Sequence, residues 1–148
     1  MSQILLQEIT QETWEHCVSL KVRSDQQHFI ASNVYSLAQS KYVPGLIPLA
    51  VYDGETMVGF VMYNQQPFEP GKYFIYRVMI GADFQGKGYG RATMRALIER
   101  MKALPNCQEI VLSYEPENTV AEQLYESLGF RKTSEIIEGE VVSSLKLH

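Results

Sequence analysis

Little in this chain invites a metal or a cross-link. Its two cysteines, Cys17 and Cys107, lie far apart in no metal-binding spacing, so a reduced pair is expected rather than a disulfide framework. The three histidines, His16, His28 and His148, form no cluster, which leaves zinc without a ligand set. Positive charge is also short: 13 Lys and Arg face 17 Asp and Glu, for a net charge of −4. A nucleic-acid partner asks for a basic patch, whereas an acidic chain suits a cationic small molecule. No apolar run reaches membrane-spanning length. The start, MSQILLQEIT, has no basic region followed by an apolar one. The expected location is the cytoplasm. Repeats and low-complexity tracts are missing as well.

What is present is ordinary for a globular protein. With 148 residues, 45% of them apolar and 20% charged, the chain is expected to form one domain over residues 1–148 with its own core. ILLQEI (4–9) reads as a strand. Thr10 or Thr13 is placed to cap a helix through WEHCVSLKV. Residues 24–33 read as a loop or short helix, and NVYSLAQSKY (33–42) as a helix capped by Asn33 and stopped by Pro44-Gly45. Asp53-Gly54 between two β-rich runs predicts a hairpin. KYFIYRVMI (72–80) is a further strand. Met94, Leu97, Ile98, Met101 and Leu104 form one helical stripe that Pro105-Asn106 ends. EIVLSY (109–114) is a strand, and Asn118 caps a helix that Gly129 closes. The last two strands fold over Glu138-Gly139. The order β α α β β β α β α β β implies an α+β (mixed α/β) fold.

The stretch GADFQGKGYGR (81–91) concentrates four glycines just before the striped helix. Such a loop lets a ligand approach backbone N–H groups that carry partial positive charge at a helix start. Three phosphate-binding patterns compete. An ATP-binding loop needs Ser or Thr after GADFQGK, but Gly88 stands there, so the magnesium-binding hydroxyl is missing. A dinucleotide fingerprint would need one more residue than Gly86-x-Gly88-x-Gly90 supplies, and a second βαβ half. The third pattern is Gln85-x-x-Gly88-x-Gly90 between strand and helix.

This third pattern resembles the coenzyme A signature of the GNAT superfamily of N-acetyltransferases. A second signature follows the next strand: Asn118-x-x-Ala121-x-x-x-Tyr125-x-x-x-Gly129-Phe130. Residues 118, 121 and 125 share one helical face, with the small Ala121 between two polar side chains. The resemblance covers most of the chain from Leu5 onward. It implies a GNAT-type fold, a central, mostly antiparallel, splayed sheet flanked by helices, with acetyl-CoA as co-substrate and no metal. By the same resemblance the cofactor contacts are Val78, Met79 and Ile80 on the strand, Gln85, Gly86, Lys87, Gly88, Tyr89, Gly90 and Arg91 at the helix start, and Asn118 and Tyr125. A bulge in the strand at Val78–Ile80 is expected to offer backbone N–H groups to the thioester. Plainer readings stand beside these: a connecting turn, an N-cap at Asn118, and half-buried core at Tyr125.

The chemistry implied is attack by an amine on the thioester carbonyl, directly within a ternary complex. An alkyl amine is protonated at neutral pH and must lose a proton first. Tyr125, facing the sulfur in the family, is the expected general acid to the leaving thiolate. Relatives often carry a Glu on the strand before the glycines, but here it reads Phe74-Ile-Tyr-Arg-Val-Met. Glu115 is one candidate base, Glu117 a weaker one and Tyr76 a candidate member of a water chain; a water relay with no dedicated base stands level with them. Residues 20–42, notably Gln26-x-x-Phe29-Ile30-Ala31-x-Asn33 and Ser36-Leu37-Ala38-Gln39, resemble bacterial diamine (spermine/spermidine) acetyltransferases. That implies a polyamine acceptor, held by carboxylates and aromatic faces. Asp25, Phe29, Tyr35, Glu55 and Tyr76 are the expected contacts. Another amine, a non-catalytic acyl-CoA sensor and, as in many relatives, a homodimer remain open.

Overall fold

The computed structural model describes residues 3–147. Seven strands run β1 (Ile4–Glu8), β2 (Leu46–Asp53), β3 (Thr56–Asn64), β4 (Lys72–Ile80), β5 (Glu109–Tyr114), β6 (Arg131–Ile137) and β7 (Glu140–Lys146). Four α-helices, α1 (Trp14–Ser19), α2 (Asn33–Tyr42), α3 (Tyr89–Lys102) and α4 (Thr119–Ser127), are joined by 3-10 turns at Ser24–Gln26 and Ala82–Phe84. The element order is the one the sequence implies, and the architecture is the mixed α/β one expected of it. No helix among the described residues is long and apolar enough to cross a membrane.

The strands form one sheet in the order β1-β2-β3-β4-β5-β7-β6. Alternation puts two apolar layers on its two faces. Leu49, Val51, Val61, Ile75, Ile110 and Leu112 pack with Met94, Leu97 and Met101 of α3. On the other face Ala50, Phe60, Met62 and Met79 pack with Cys17 of α1 and Leu37 of α2.

Two local details depart from the sequence reading. The cap of α2 is Ser32, whose side chain accepts from the Tyr35 N–H at 3.1 Å. Asn33 is instead the first helical residue, buried, with Nδ2 donating to the Cys17 carbonyl at 2.8 Å. A buried amide needs such a partner, and this one ties α2 to the end of α1. Helix α1 stops at Ser19, because Leu20 turns extended with ψ 126°.

The feature that matters for function, the splay expected of the sheet, lies at β4 and β5, which run parallel among otherwise antiparallel neighbours. They pair only at Lys72–Phe74 with Glu109–Val111. Beyond that, β4 runs on to Ile80 and β5 to Tyr114 with no pairing between them. The two arms open into a V. A bulge helps separate them: Met62 of β3 opposes Arg77 and Tyr63 opposes Ile75, so Tyr76 is the extra residue on β4. Bulges bend the strand that carries them and raise its twist. The bulge therefore sits just before Val78–Ile80, not within it.

Candidate active site

Between the arms of the V lies a cleft of about 670 Å³. Its walls come from both faces of the sheet. Asn118 and Tyr125 approach from α4, on the α3 side. Phe29, Tyr35 and Gln39 approach from the α2 side, with Tyr76, Arg77 and Val78 from β4. Ser113 of β5 and Glu135, Glu138 and Glu140 of the β6–β7 hairpin close the far wall. A ligand entering from one face can thus meet one entering from the other without crossing the core.

Strand geometry decides which backbone groups face the cleft. Successive N–H groups along a strand point to alternate edges. The Gly81 N–H bonds to the Val58 carbonyl on β3 at 2.9 Å, so those of Val78 and Ile80 point the opposite way, into the V. The half-buried Val78 lines the cleft. Met79 and Ile80 are buried and use their side chains for packing.

At the open end of β4 stands the N-terminus of α3. Gly88 is its N-cap with φ +86°, and no side chain caps the first turn. A β-carbon at residue 86, where φ is +77°, would meet nothing within 4 Å. Uncapped N–H groups in open space, with exposed Lys87 and half-buried Arg91 beside them, fit an anionic diphosphate. Tyr89 braces this corner: its hydroxyl donates to Asp53 Oδ2 at the β2–β3 hairpin. That bond, then burial, raises the Tyr89 pKa. The Gln85 amide is otherwise engaged. It donates to the Ile80 carbonyl and to Gln26 Oε1, both at 2.9 Å, so its side chain closes the β4–α3 corner rather than reaching outward.

Tyr125 is half-buried, its ring wedged between Tyr114 and Phe130 at centroid distances of 5.7 and 5.9 Å. Burial, with smaller contributions from Tyr114 and Glu140, pushes its pKa up to about 12. The phenol therefore keeps its proton at any physiological pH. Asn118 caps α4, its Oδ1 accepting from the Ala121 N–H at 3.3 Å, and also forms cleft wall.

Of the expected acceptor contacts, Phe29, Tyr35 and Tyr76 line the cleft and two others do not. Asp25 is exposed and pairs with exposed Arg23 at 3.4 Å. Glu55 is exposed in the β2–β3 turn, at the hairpin end that meets Tyr89. Glu115 is also no part of the cleft wall. It follows the last residue of β5, where the chain turns through a 2.9 Å bond from the Asn118 N–H to the Glu115 carbonyl.

The sequence reading missed Arg77 and Glu140. Arg77 sits on β4 and donates to Gln39 Oε1 at 3.0 Å and to the Tyr76 carbonyl at 2.9 Å. Its guanidinium lies 5.9 Å from the Tyr35 ring centre, and its buried Nε has no partner among the described residues. Burial lowers its pKa, partly offset by Tyr35 and Glu140. A lone charge in the apolar run FIYRVMI was the available signal. Glu140 had none, since it directly follows a turn that explains its polarity. Among the described residues no group of acidic, Cys or His side chains could hold a metal ion.

Comparison with known proteins agrees with this geometry. Residues 5–130 match the model of the Acetyltransferase (GNAT) family. The spermine/spermidine N(1)-acetyltransferase of Bacillus subtilis is 30% identical over 145 residues, covering 94% of this chain and 95% of that one. Spermidine N-acetyltransferase from Vibrio cholerae, solved in complex with CoA and spermine, superposes with a TM-score of 0.75 at 18% identity over 96% of this chain and 93% of that one. AAC(6')-Ib in complex with ribostamycin and coenzyme A gives 0.80 at 19% over 99% and 94%. The splayed β4–β5 pair, the uncapped α3 and the match over residues 5–130 together make the chain a member of the GNAT family, an acetyl-CoA-dependent N-acetyltransferase.

Proposed function

We propose that the protein moves the acetyl group of acetyl-CoA to a terminal amine of a polyamine, by direct attack within a ternary complex. The observation that carries this reading is the two-sided cleft with an acidic and aromatic mouth. Glu69, Glu135, Glu138 and Glu140 line it together with Phe29, Tyr35 and Tyr76. Carboxylates and ring faces are what spaced ammonium groups need. The named activity of the Bacillus subtilis relative, similar over nearly the full length, supports the same acceptor.

Each role falls to residues already described. The α3 N-terminus with Lys87 and Arg91 holds the diphosphate, and Asn118 flanks the pantetheine arm. The Val78 N–H faces the oxyanion that develops as the amine adds. Tyr125 lies toward the sulfur. Its pKa of about 12 makes full proton transfer to a thiolate, whose thiol titrates near 8.5, uphill by about 5 kcal/mol. Tyr125 therefore steadies the leaving thiolate as a hydrogen-bond donor.

A diamino acid is the second reading. Arg77, with its unpartnered Nε at the acceptor side, suits a carboxylate. A thiol-release assay with spermine, spermidine, a simple diamine, a diamino acid and a lysine peptide separates these. The polyamines should give the highest kcat/KM. Preference for the diamino acid moves the assignment to the second reading, and release that ignores the amine removes both.

A further inference from the structure

Nothing in the strand before the glycines can accept the proton that the acceptor amine must lose, and Glu115 does not reach the cleft. At pH 7 only about one alkyl amine in 10³ is neutral, so the loss needs help. We propose that Glu140 of β7 takes this proton, while Arg77 on the opposite arm of the V disfavours the charged form of the bound amine. This rests on the amine-acetylation reading above.

Five glutamates line the cleft, and their partners separate them. Glu69 pairs with Lys72 at 3.6 Å. Glu109 accepts from Ser144 Oγ at 2.5 Å, at the end where β4 and β5 still pair. Glu135 and Glu138 are exposed. Glu109 and Glu140 are the half-buried two of the five and neither has an ion pair among the described residues, but only Glu140 stands beside the open part of the V. Ser113 Oγ donates to its Oε1 at 2.7 Å, which fixes the carboxylate. Among the described residues its Oε2 carries no hydrogen bond, so one oxygen is left for the amine.

Its surroundings fit the task. The charge of Glu140 is felt by Arg77 on one side and by Tyr125 on the other. An amine between them would sit by the acetyl carbon, with Val78 next in sequence to Arg77. A fixed cation beside an amine lowers the amine's pKa, and a carboxylate in reach collects the proton. The ammonium gives one proton to Glu140. The freed lone pair forms the C–N bond at the acetyl carbon, and the C–S bond breaks. The second proton shed by nitrogen ends on sulfur through water, and Glu140 returns its own to solvent.

The test is the pH dependence of kcat/KM for the fastest acceptor in wild type, E140Q and E140D, with acetyl-CoA affinity by calorimetry. The titratable and charged groups around Glu140 are Lys72, Tyr76 and Arg77 on β4, Tyr35 on α2, Tyr114 and Glu109 on β5, Tyr125 on α4, Glu69 before β4, and Glu135 and Glu138 in the hairpin. All of them stay in place. The side-chain amide introduced by E140Q keeps an acceptor oxygen for Ser113, so folding is preserved. E140Q should lose about 10²–10³-fold at pH 7 and bind acetyl-CoA as before. Its rate should climb with pH until the amine's own pKa, about 10, whereas wild type levels off sooner. E140D should keep part of the rate, and R77Q should move the wild-type profile to higher pH. An E140Q within about threefold of wild type with the same profile, well short of the usual acid–base effect, overturns the proposal. Equal loss of acetyl-CoA binding also overturns it, since that marks a structural role. A wild type that acetylates no amine overturns the parent reading and this one together.

Discussion

Replacing Tyr125 with phenylalanine removes one hydroxyl and little else. The ring keeps its place between Tyr114 and Phe130, and no hydrogen bond of the Tyr125 hydroxyl to protein needs replacing among the described residues. What goes is the donor that the proposed mechanism directs at the departing sulfur. A hydrogen bond to a charged partner is worth about 1.5–3 kcal/mol, which is about 10–150-fold in rate at 1.36 kcal/mol per decade. Ground-state acetyl-CoA has no thiolate, so the loss should fall on kcat, with the calorimetric Kd unchanged. Stopped-flow thiol release for wild type and Y125F, saturated with both substrates, measures it. A pKa near 12 adds a second expectation: wild type should show no alkaline limb from Tyr125 between pH 8 and 10. A Y125F enzyme with wild-type kcat, or with its whole defect in acetyl-CoA affinity, would refute the leaving-group role.

Gly88→Ala places a β-carbon on a left-handed residue, φ +86°. It should cost about 1–2 kcal/mol in denaturant stability and raise the KM for acetyl-CoA more than that for the amine. The raised pKa of Tyr125 makes a contribution to stability that is complete below pH 10 and disappears as pH climbs through about 12. Urea titrations from pH 9 to 12 should show that decline in wild type and a shallower one in Y125F. Leu97→Ala, at a fully buried position of α3, should cost about 2–5 kcal/mol, read as a lower urea midpoint with unchanged slope.

Neighbouring residues were enough to specify much of this protein. Strand and helix periods, turn signals and the spacing of Gln85, Gly88 and Gly90 or of Asn118, Ala121 and Tyr125 all act within a few residues, so the order of elements was legible. Positive-φ glycines belong to the same class, because steric limits on φ are local. Even so, the cap shifted from Asn33 to Ser32, since burial against Cys17 outweighed the capping preference of the asparagine amide. Gln85 is similar: its motif was plain, yet the side chain closes a corner with Gln26 and Ile80, distant partners that no spacing rule names.

Only the folded chain could decide where β4 and β5 part, that the extra residue is Tyr76, and which carboxylates share the gap. Arg77 and Glu140 come from strands on either side of the splay, and their closeness depends on the β4–β5–β7 order. Long-range strand order follows from packing of the whole core, which no short window encodes. Asp25 and Glu55 were plausible by charge alone, and the fold left both in solvent. Identity of residues at a spacing determined the chemistry of the coenzyme side; convergence of residues far apart in the chain determined the acceptor side.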